Sequence, residues 1–344
     1  DFTFLTAGPA TVLRSAAIVC RSGSSCVRPK LNQPFEEFVS RLGAGEPVRG
    51  NGCSMHPEAA TGLRLVGHSN LGGYGDGMQL MRSGDALYVG HFGPSGMGTT
   101  ILDVSDVRHP QVARQWTAPP NSHTHKVQVA DGLLLTNHER FRSDEAWSAG
   151  LAIYDLADPF EPRRIGFWDS TGRGVHRIVW EGGRYAYLSA TPDGFTGRIW
   201  VIVDLDDPAN PQEVGRWWWP GQWEAGGESP TWPASEDWNT HHAMVHGDRA
   251  YVGLWDGGMV ILDIAEMATP RMVAHLNWAE GGDTHTCLPL PSRDLVVVSD
   301  EATTDGCDGP PHMVRVVDVR DETNPEVISI CPVPVGDYCD RGLR

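Results

Sequence analysis

Short apolar runs separated by Gly, Asp and Pro recur along the chain from about residue 62 onward. Such runs, rich in Val, Ile and Tyr, are typical of β-strands, and no stretch has a sustained helical period. In one representative segment, strands are predicted over 125–130, 133–136, 151–155 and 163–168, with an Asp131-Gly132 turn between the first two. The pattern therefore predicts an all-β fold built from four-stranded antiparallel units.

Each unit carries two apolar residues followed by Asp, and a Pro seven residues after that Asp. The five copies are Ile101-Leu102-Asp103 with Pro110, Ile153-Tyr154-Asp155 with Pro162, Ile202-Val203-Asp204 with Pro211, Ile261-Leu262-Asp263 with Pro270, and Val316-Val317-Asp318 with Pro325. The aspartates are 52, 49, 59 and 55 residues apart, which is typical of a repeat array. Asp and Pro at this spacing indicate a turn, because Asp accepts local backbone hydrogen bonds and Pro fixes φ.

Four strands per repeat of this length predict the blade of a β-propeller. A β-sandwich made of the same strands is the alternative, although a sandwich has no reason to repeat one turn at constant spacing. The signature, with Tyr251-Val252-Gly253 or Tyr187-Leu188-Ser189 one strand earlier, resembles the LVIVD-repeat family of bacterial β-propellers over about residues 62 to 334. The resemblance implies a seven-bladed ring in the complete family, whose function is poorly characterised.

The domain limits follow from the repeats. Five full blades are predicted over approximately 74–118, 123–169, 174–220, 240–279 and 283–334, within a propeller spanning 55–344. The strand predicted over 63–68 reads as the closing fourth strand of a further blade, so we expect the chain to be truncated relative to the family. Residues 1–54 carry no repeat motif and are interpreted as a poorly ordered or spurious extension.

Charge and cysteine content narrow the classes of function. The net charge of −17 argues against partners that are nucleic acids or acidic membrane surfaces. No apolar run approaches the ~18 residues of a membrane helix. The seven cysteines have irregular spacing and form no CxxC pair, which favours a reducing compartment. We therefore predict a cytoplasmic protein, with export as the alternative.

One rim of the propeller is predicted to carry the site. Connections from first to second and from third to fourth strands are short, whereas the second-to-third and blade-to-blade connections are long. In an antiparallel blade both long kinds emerge on the same rim. Binding residues concentrate on loops held by a rigid scaffold, so this loop-rich rim is predicted to bind a small-molecule substrate or a protein partner.

Histidines open four successive inner strands on that rim. They are His125, His176, His242 and His285, and Asp76 takes the corresponding place in the first blade. Inner strands line the central channel, so the four imidazoles are expected to converge at its mouth. Neutral imidazoles from separate strands suit a divalent transition metal such as Fe, Zn, Mn or Cu. The alternative is that they cap strand starts and hydrogen-bond neighbouring blades.

Carboxylates at the ends of the second strands reach the same rim. Glu301 first and Glu139 second are the candidates for a general base, with Asp76 as a third catalytic candidate. Such carboxylates could instead orient the imidazoles. Arg177 could hold an anionic substrate, but strand alternation predicts that it faces the blade packing.

A loop rich in tryptophan connects the third predicted blade to the inner strand of the fourth. Trp223, Trp232 and Trp238 are predicted to arch over the channel mouth beside His241 as an aromatic lid that excludes water from an apolar substrate.

These features predict a metal-dependent enzyme, a hydrolase, lyase or oxygenase, that acts on a small apolar or aromatic molecule. The four histidines resemble the iron site of carotenoid-cleaving oxygenases, by analogy of fold alone. The alternative is a non-catalytic platform that binds a protein on its loop-rich rim.

Overall fold

Antiparallel β-strands make up nearly all of the regular structure. The computed structural model of the chain describes residues 2–7, 63–92, 96–119, 121–140, 147–278, 282–301 and 312–332. Within these ranges the only helical segments are three-residue 3₁₀ turns, at Leu71–Gly73, Glu224–Gly226 and Pro291–Arg293. None of the described segments is a helix of the length and apolarity needed to cross a membrane.

The strands fall into consecutive four-stranded blades after an initial pair. The initial pair is β1 (Phe2–Ala7) and β2 (Leu63–Ser69), and blade one is β3 (Gly77–Ser83), β4 (Ala86–His91), β5 (Met97–Asp103) and β6 (Gln111–Thr117). Blade two has an inner strand in two parts, β7 (Ser122–His123) and β8 (Val127–Ala130), which both pair with β9 (Leu133–Arg140), followed by β10 (Gly150–Asp155) and β11 (Arg163–Asp169). Blade three is β12 (Gly174–Val179), β13 (Tyr185–Thr191), β14 (Ile199–Asp204) and β15 (Gln212–Trp217). Blade four is β16 (Ala243–His246), β17 (Arg249–Gly253), β18 (Met259–Asp263) and β19 (Arg271–Leu276). Blade five is β20 (Asp283–Leu290), β21 (Leu295–Glu301), β22 (Met313–Asp318) and β23 (Glu326–Pro332).

The blades pack side by side through their inner strands. Strand β3 contacts β8, β8 contacts β12, and β16 contacts both β13 and β20. The residue pair Glu139 with Gly174 joins the sheets of blades two and three. The third strand contributes to the core between neighbouring blades, as in β14, where Ile199 to Val203 are all buried. This radial arrangement confirms the predicted all-β propeller of four-stranded antiparallel blades.

The repeated aspartate closes the same turn in every blade. Its Oδ1 accepts a hydrogen bond from the backbone N–H two residues later, at 2.9–3.0 Å, in Asp103, Asp155, Asp204, Asp263 and Asp318. A β-bulge lies immediately before this aspartate in the pairing of each third strand with its fourth. The local hydrogen bond explains why Asp recurs at a fixed position.

Glycines in the outer strands of blades two and three lie against the turn of the following blade. A Cβ on Gly166 of β11 would lie 2.0 Å from the carbonyl oxygen of Pro208, in the turn of blade three. Gly67 of β2 has the same relationship to Val107, in the turn of blade one, also at 2.0 Å. Strand β2 therefore packs against blade one in the same way that the outer strand β11 packs against blade three.

Strand β2 corresponds to the strand predicted over 63–68. It pairs along its length with β1, from the segment predicted to be an extension. The rest of the 1–54 prediction lies outside the described residues.

Candidate functional site

Two β-bulges place histidines at the start of inner strands. In β12 the register shifts between Val175 and Arg177, and in β20 it shifts between Thr284 and Thr286. The extra residues are His176 and His285. A bulge re-aims the side chains next to it, and such bulges are frequent beside active sites.

The register identifies His241 as the matching residue in blade four. In blade four Ala243 pairs with Val252, and in blade three Ile178 pairs with Leu188 at the equivalent position. The residue two positions before Ala243 is His241, and the residue two positions before Ile178 is His176. His242 corresponds to Arg177.

The same comparison of strand register identifies the matching residues in blades one and two. In blade two, Val127 pairs with Thr136, which places His125 at the equivalent position. In blade one the extra residue of the β3 bulge is Met78, so Asp76 lies two residues before the position predicted for it. The register series is therefore Met78, His125, His176, His241 and His285.

The four histidines of this series lie next to one another in chain order. The ring centroids are 5.0 Å apart for His125 and His176, 4.9 Å for His176 and His241, and 4.2 Å for His241 and His285. The Nε2 atoms of His176 and His241 are 3.0 Å apart.

Two further imidazoles extend the arc, and together the six form two groups. The ring of His123 stacks on His125 at 3.8 Å, and the ring of His242 meets His285 at 5.5 Å. Group A is His123, His125 and His176, and group B is His241, His242 and His285; within each, one ligand atom per residue lies within 4.8 Å of the others. The predicted ligands are thus brought together in pairs, His125 with His176 and His242 with His285.

Glu139 organises group A. Its Oε2 accepts hydrogen bonds from Nδ1 of His123 at 2.9 Å and from Nδ1 of His176 at 2.8 Å. An imidazole that donates from Nδ1 carries its lone pair on Nε2, which is the atom a metal ion uses. Glu139 is buried and held by both imidazoles, so its position suits an orienting residue better than a general base.

Arg177 extends into group B. Its Nη2 donates to Nε2 of His285 at 2.7 Å, and its Nε lies 3.4 Å from Nε2 of His241. The expectation that Arg177 faces the blade packing is wrong, because the bulge after Val175 breaks the alternation of the strand. Since arginine always donates, His285 must accept at Nε2, and its Nδ1 donates to Oγ1 of Thr286 at 2.6 Å.

Burial keeps all six imidazoles neutral. It lowers the pKa of His123 and lowers those of His125, His176 and His241 well below the usual value. It also lowers the pKa of His242 to about 3 and that of His285 to about 2.

The charged neighbours keep their charges. Burial raises the pKa of Glu139, but its contact with His176 and the hydrogen bonds that His123 and His176 donate outweigh burial and hold that pKa well below its usual range. Burial lowers the pKa of Arg177 to about 10, which leaves it cationic at neutral pH. Group A therefore has the Glu139 carboxylate hydrogen-bonded to two of its neutral rings, whereas group B lies beside both the Arg177 cation and the Glu301 carboxylate.

The other predicted carboxylates occupy different places. Glu301 lies at group B, with Oε2 3.4 Å from Nε2 of His241 and its side chain about one third exposed. Asp76 accepts a hydrogen bond from Nδ1 of His91 at 2.8 Å, in blade one. Glu301 is therefore the predicted carboxylate that is both close to the histidines and open to solvent.

Two of the three lid tryptophans lie together. Trp232 stacks on Trp238 with ring centroids 6.0 Å apart, and both line a pocket of about 670 Å³. Trp223 lies elsewhere, against Phe195 and Trp218, and is 41% exposed.

Sequence reasoning left His123 unassigned and gave His241 a different role. The signal for His123 is the spacing His123-Thr124-His125, since alternate residues of an extended strand share a face. The signal for His241 requires the register of blade four, which the His241-His242 doublet alone does not fix.

The comparisons with known proteins concern the repeat and the fold. The sequence model of the family described as the LVIVD repeat matches residues 176–217 and 239–277 of this chain. No curated protein sequence matches the chain. A solved structure of a protein from Lactobacillus plantarum is 9% identical, with a TM-score of 0.57, over 79% of this chain and 75% of that one. A hypothetical selenium-binding protein from Sulfolobus tokodaii is 11% identical, with a TM-score of 0.55, over 76% of this chain and 67% of that one.

The likeness extends to a computationally designed protein. It is 11% identical, with a TM-score of 0.49, and the chain spans 65% of its length. At these identities the likenesses concern the fold alone.

Proposed function

We propose that this β-propeller, whose repeats are those of the LVIVD family, is an enzyme that holds one divalent transition metal ion at the channel mouth. The ligands are His123, His125 and His176, and the metal is Fe, Zn, Mn or Cu. The observation that carries the proposal is the shared carboxylate of Glu139, which accepts from Nδ1 of both His123 and His176. A carboxylate behind a ligating imidazole fixes the tautomer and makes the ring a better ligand.

The donor set of group A fits such an ion. Three neutral nitrogen ligands leave a position open, as catalytic zinc sites do. The Nδ1 atom of His125 is buried and has no hydrogen-bond partner among the described residues. A buried polar atom without a partner needs an explanation, and a ligand role for this imidazole supplies one.

The carboxylate bonded directly to two rings favours group A over group B, where Arg177 opposes the attraction of Glu301 for a cation. Glu139 places a negative charge next to group A, where it attracts a cation. Arg177 places a positive charge within hydrogen-bonding distance of His285 in group B, where it repels one. At separations of a few ångströms in a buried site, such interactions amount to about 4 kcal/mol.

The chemistry follows from these placements. A bound ion of this kind acts as a Lewis acid on an oxygen-containing group of the substrate. Arg177 lies between the two groups, with its Nε 3.4 Å from His241, and its charge stabilises negative charge that develops on the substrate. Glu301, the more exposed carboxylate, serves as the general base.

Metal analysis of the purified protein tests the proposal. We expect about one equivalent of metal in the parent protein and its loss in His125→Ala and His176→Ala, because each change removes a ligand. His242→Ala, in group B, is the matched control and keeps the metal. Turnover of a panel of small esters, amides and O2-dependent substrates should require the metal and disappear in His176→Ala.

A folded protein without metal would contradict the enzyme proposal. The interaction platform would then be the better account, and it requires that a protein partner still bind the His176→Ala and His285→Ala variants.

A further inference from the structure

The pocket of about 670 Å³ beside the histidine groups is a separate feature of the rim. Ligand pockets for small organic molecules have volumes of roughly 300–1,000 Å³. Its walls include three indoles, those of Trp232, Trp238 and Trp255, and two guanidinium groups, those of Arg173 and Arg198. Flat apolar walls with a few cationic donors are suited to a flat molecule that carries an anionic group.

Two donors of the pocket residues have no partner. The Nη2 atom of Arg198 and the Nε1 atom of Trp255 are buried and make no hydrogen bond to the described residues. The rest of the Arg198 guanidinium is held in place: its Nε lies 3.4 Å from the carbonyl oxygen of Thr240, and its Cζ lies 4.2 Å over the Trp255 ring. Buried donors without a partner, on residues that line a pocket, indicate a ligand that accepts hydrogen bonds.

The carboxylates of the pocket are Glu236 and Asp237. Glu236 already accepts a hydrogen bond from Nε1 of Trp238 at 2.7 Å. Burial has the largest effect on the pKa of Arg198 and lowers it. The charge of Asp237 raises that pKa, but its effect is smaller than those of burial, Glu139, Glu301 and Arg173. The charges of the two arginines and the two carboxylates that line the pocket cancel formally. The two donors without a partner, rather than the net charge, therefore determine which ligand is favoured.

Trp255 joins the pocket to the histidines. Its ring stacks on that of His241 with centroids 5.6 Å apart. Its backbone has a φ of +45°, in the left-handed region that a bulky residue rarely adopts. Such strain persists only where the surrounding structure requires it, and it is common at ligand sites.

We infer that this pocket binds a small aromatic carboxylate, with the ring between the indoles and the carboxylate on Arg198. The claim that this acid is the substrate rests on the proposed function, whereas the binding of the acid does not.

Calorimetry with three matched probes tests the inference. The probes are 3-phenylpropionate, its amide and 3-phenylpropylamine, which share a phenyl ring and chain and differ in charge. We expect the acid to bind about tenfold or more tightly than the amide, because a charge-assisted hydrogen bond replaces a neutral one. Equal binding of acid and amide, tighter binding of the amine, or no binding of any probe at millimolar concentration would each overturn the inference.

Variants locate the binding. Arg198→Gln should weaken the acid about tenfold and leave the amide nearly unchanged, because only the acid uses the guanidinium charge. Trp238→Phe should weaken all probes that bind. Trp223→Phe, an exposed tryptophan outside the pocket, is the matched control and should change nothing. Near-ultraviolet circular dichroism checks that each variant is folded, and unchanged acid binding by a folded Arg198→Gln variant would contradict the assignment.

The same titration separates this inference from the metal site. In chelator-treated protein and in His125→Ala the acid should still bind, because none of the ligands of group A lines the pocket. Loss of acid binding in both would show that the pocket as described is not the binding site. Retained acid binding in a protein that never holds metal would leave the pocket assignment standing and contradict only the enzyme proposal.

Discussion

Glu139 and His176 form the contact on which the histidine site depends. The Nδ1–H of His176 donates to Oε2 of Glu139 at 2.8 Å, and that same oxygen also accepts from His123. One carboxylate on β9 thus fixes the orientation of rings from two blades.

Replacing that carboxylate should weaken metal binding. We expect Glu139→Gln to lower metal affinity about 10- to 100-fold, because the amide neither attracts the cation nor strengthens two imidazole ligands at once. Competition with a chromophoric chelator measures the affinity. Glu301→Gln is the control, and it should lower turnover while leaving affinity nearly unchanged. Equal affinities for Glu139→Gln and the parent protein would contradict the role of Glu139.

Arg177 is expected to keep a second metal ion out of group B. Its guanidinium donates to His285 and faces the three imidazoles that would otherwise be ligands. We predict that Arg177→Gln raises the metal content from about one to about two equivalents, because the repelling charge is gone. Elemental analysis measures the ratio. Arg184→Gln, which removes an exposed arginine paired with Asp204, should leave it at one. An unchanged ratio in Arg177→Gln would show that charge does not decide between the groups.

His138 should make the protein sensitive to acid. Burial lowers its pKa from 6.5 to about 4, so between these values the unfolded chain binds a proton that the folded chain does not. Stability therefore falls as pH decreases from 6.5 to 4, by about 3 kcal/mol from this residue. Denaturant unfolding at both pH values should show a smaller decrease for His138→Gln than for the parent protein. Parallel decreases would contradict the assignment.

Asp300 and Arg315 form a buried ion pair in blade five. Nη1 of Arg315 lies 2.7 Å from Oδ1 of Asp300, and both side chains are fully buried. Asp300→Asn should destabilise the protein by about 3–5 kcal/mol, because it leaves Arg315 buried without its counter-charge. The double variant Asp300→Leu/Arg315→Met should recover much of the loss in denaturant unfolding. A double variant as unstable as the single one would show that the charge itself is not the cause.

The architecture could be predicted from the sequence because local chemistry repeats. Asp103 and its four counterparts close identical turns through their own side chains, so a turn predicted at one copy holds at the others. The strands between the turns follow from short apolar runs that need no long-range information.

The site could be predicted only in part, because it depends on bulges. Alternation places Arg177 in the blade packing, and one extra residue in β12 turns it to the channel instead. The same register decides that His241 rather than His242 matches His176. A bulge is set by pairing with the neighbouring strand, and a single strand's sequence does not contain it.

The most direct test of the central claim is anomalous diffraction from crystals of the zinc-loaded protein. The account predicts one strong anomalous peak bonded to the imidazoles of His123, His125 and His176, with Nδ1 of His123 and of His176 still donating to Glu139. A principal peak among His241, His242 and His285, or no peak at either group in fully loaded protein, would contradict it.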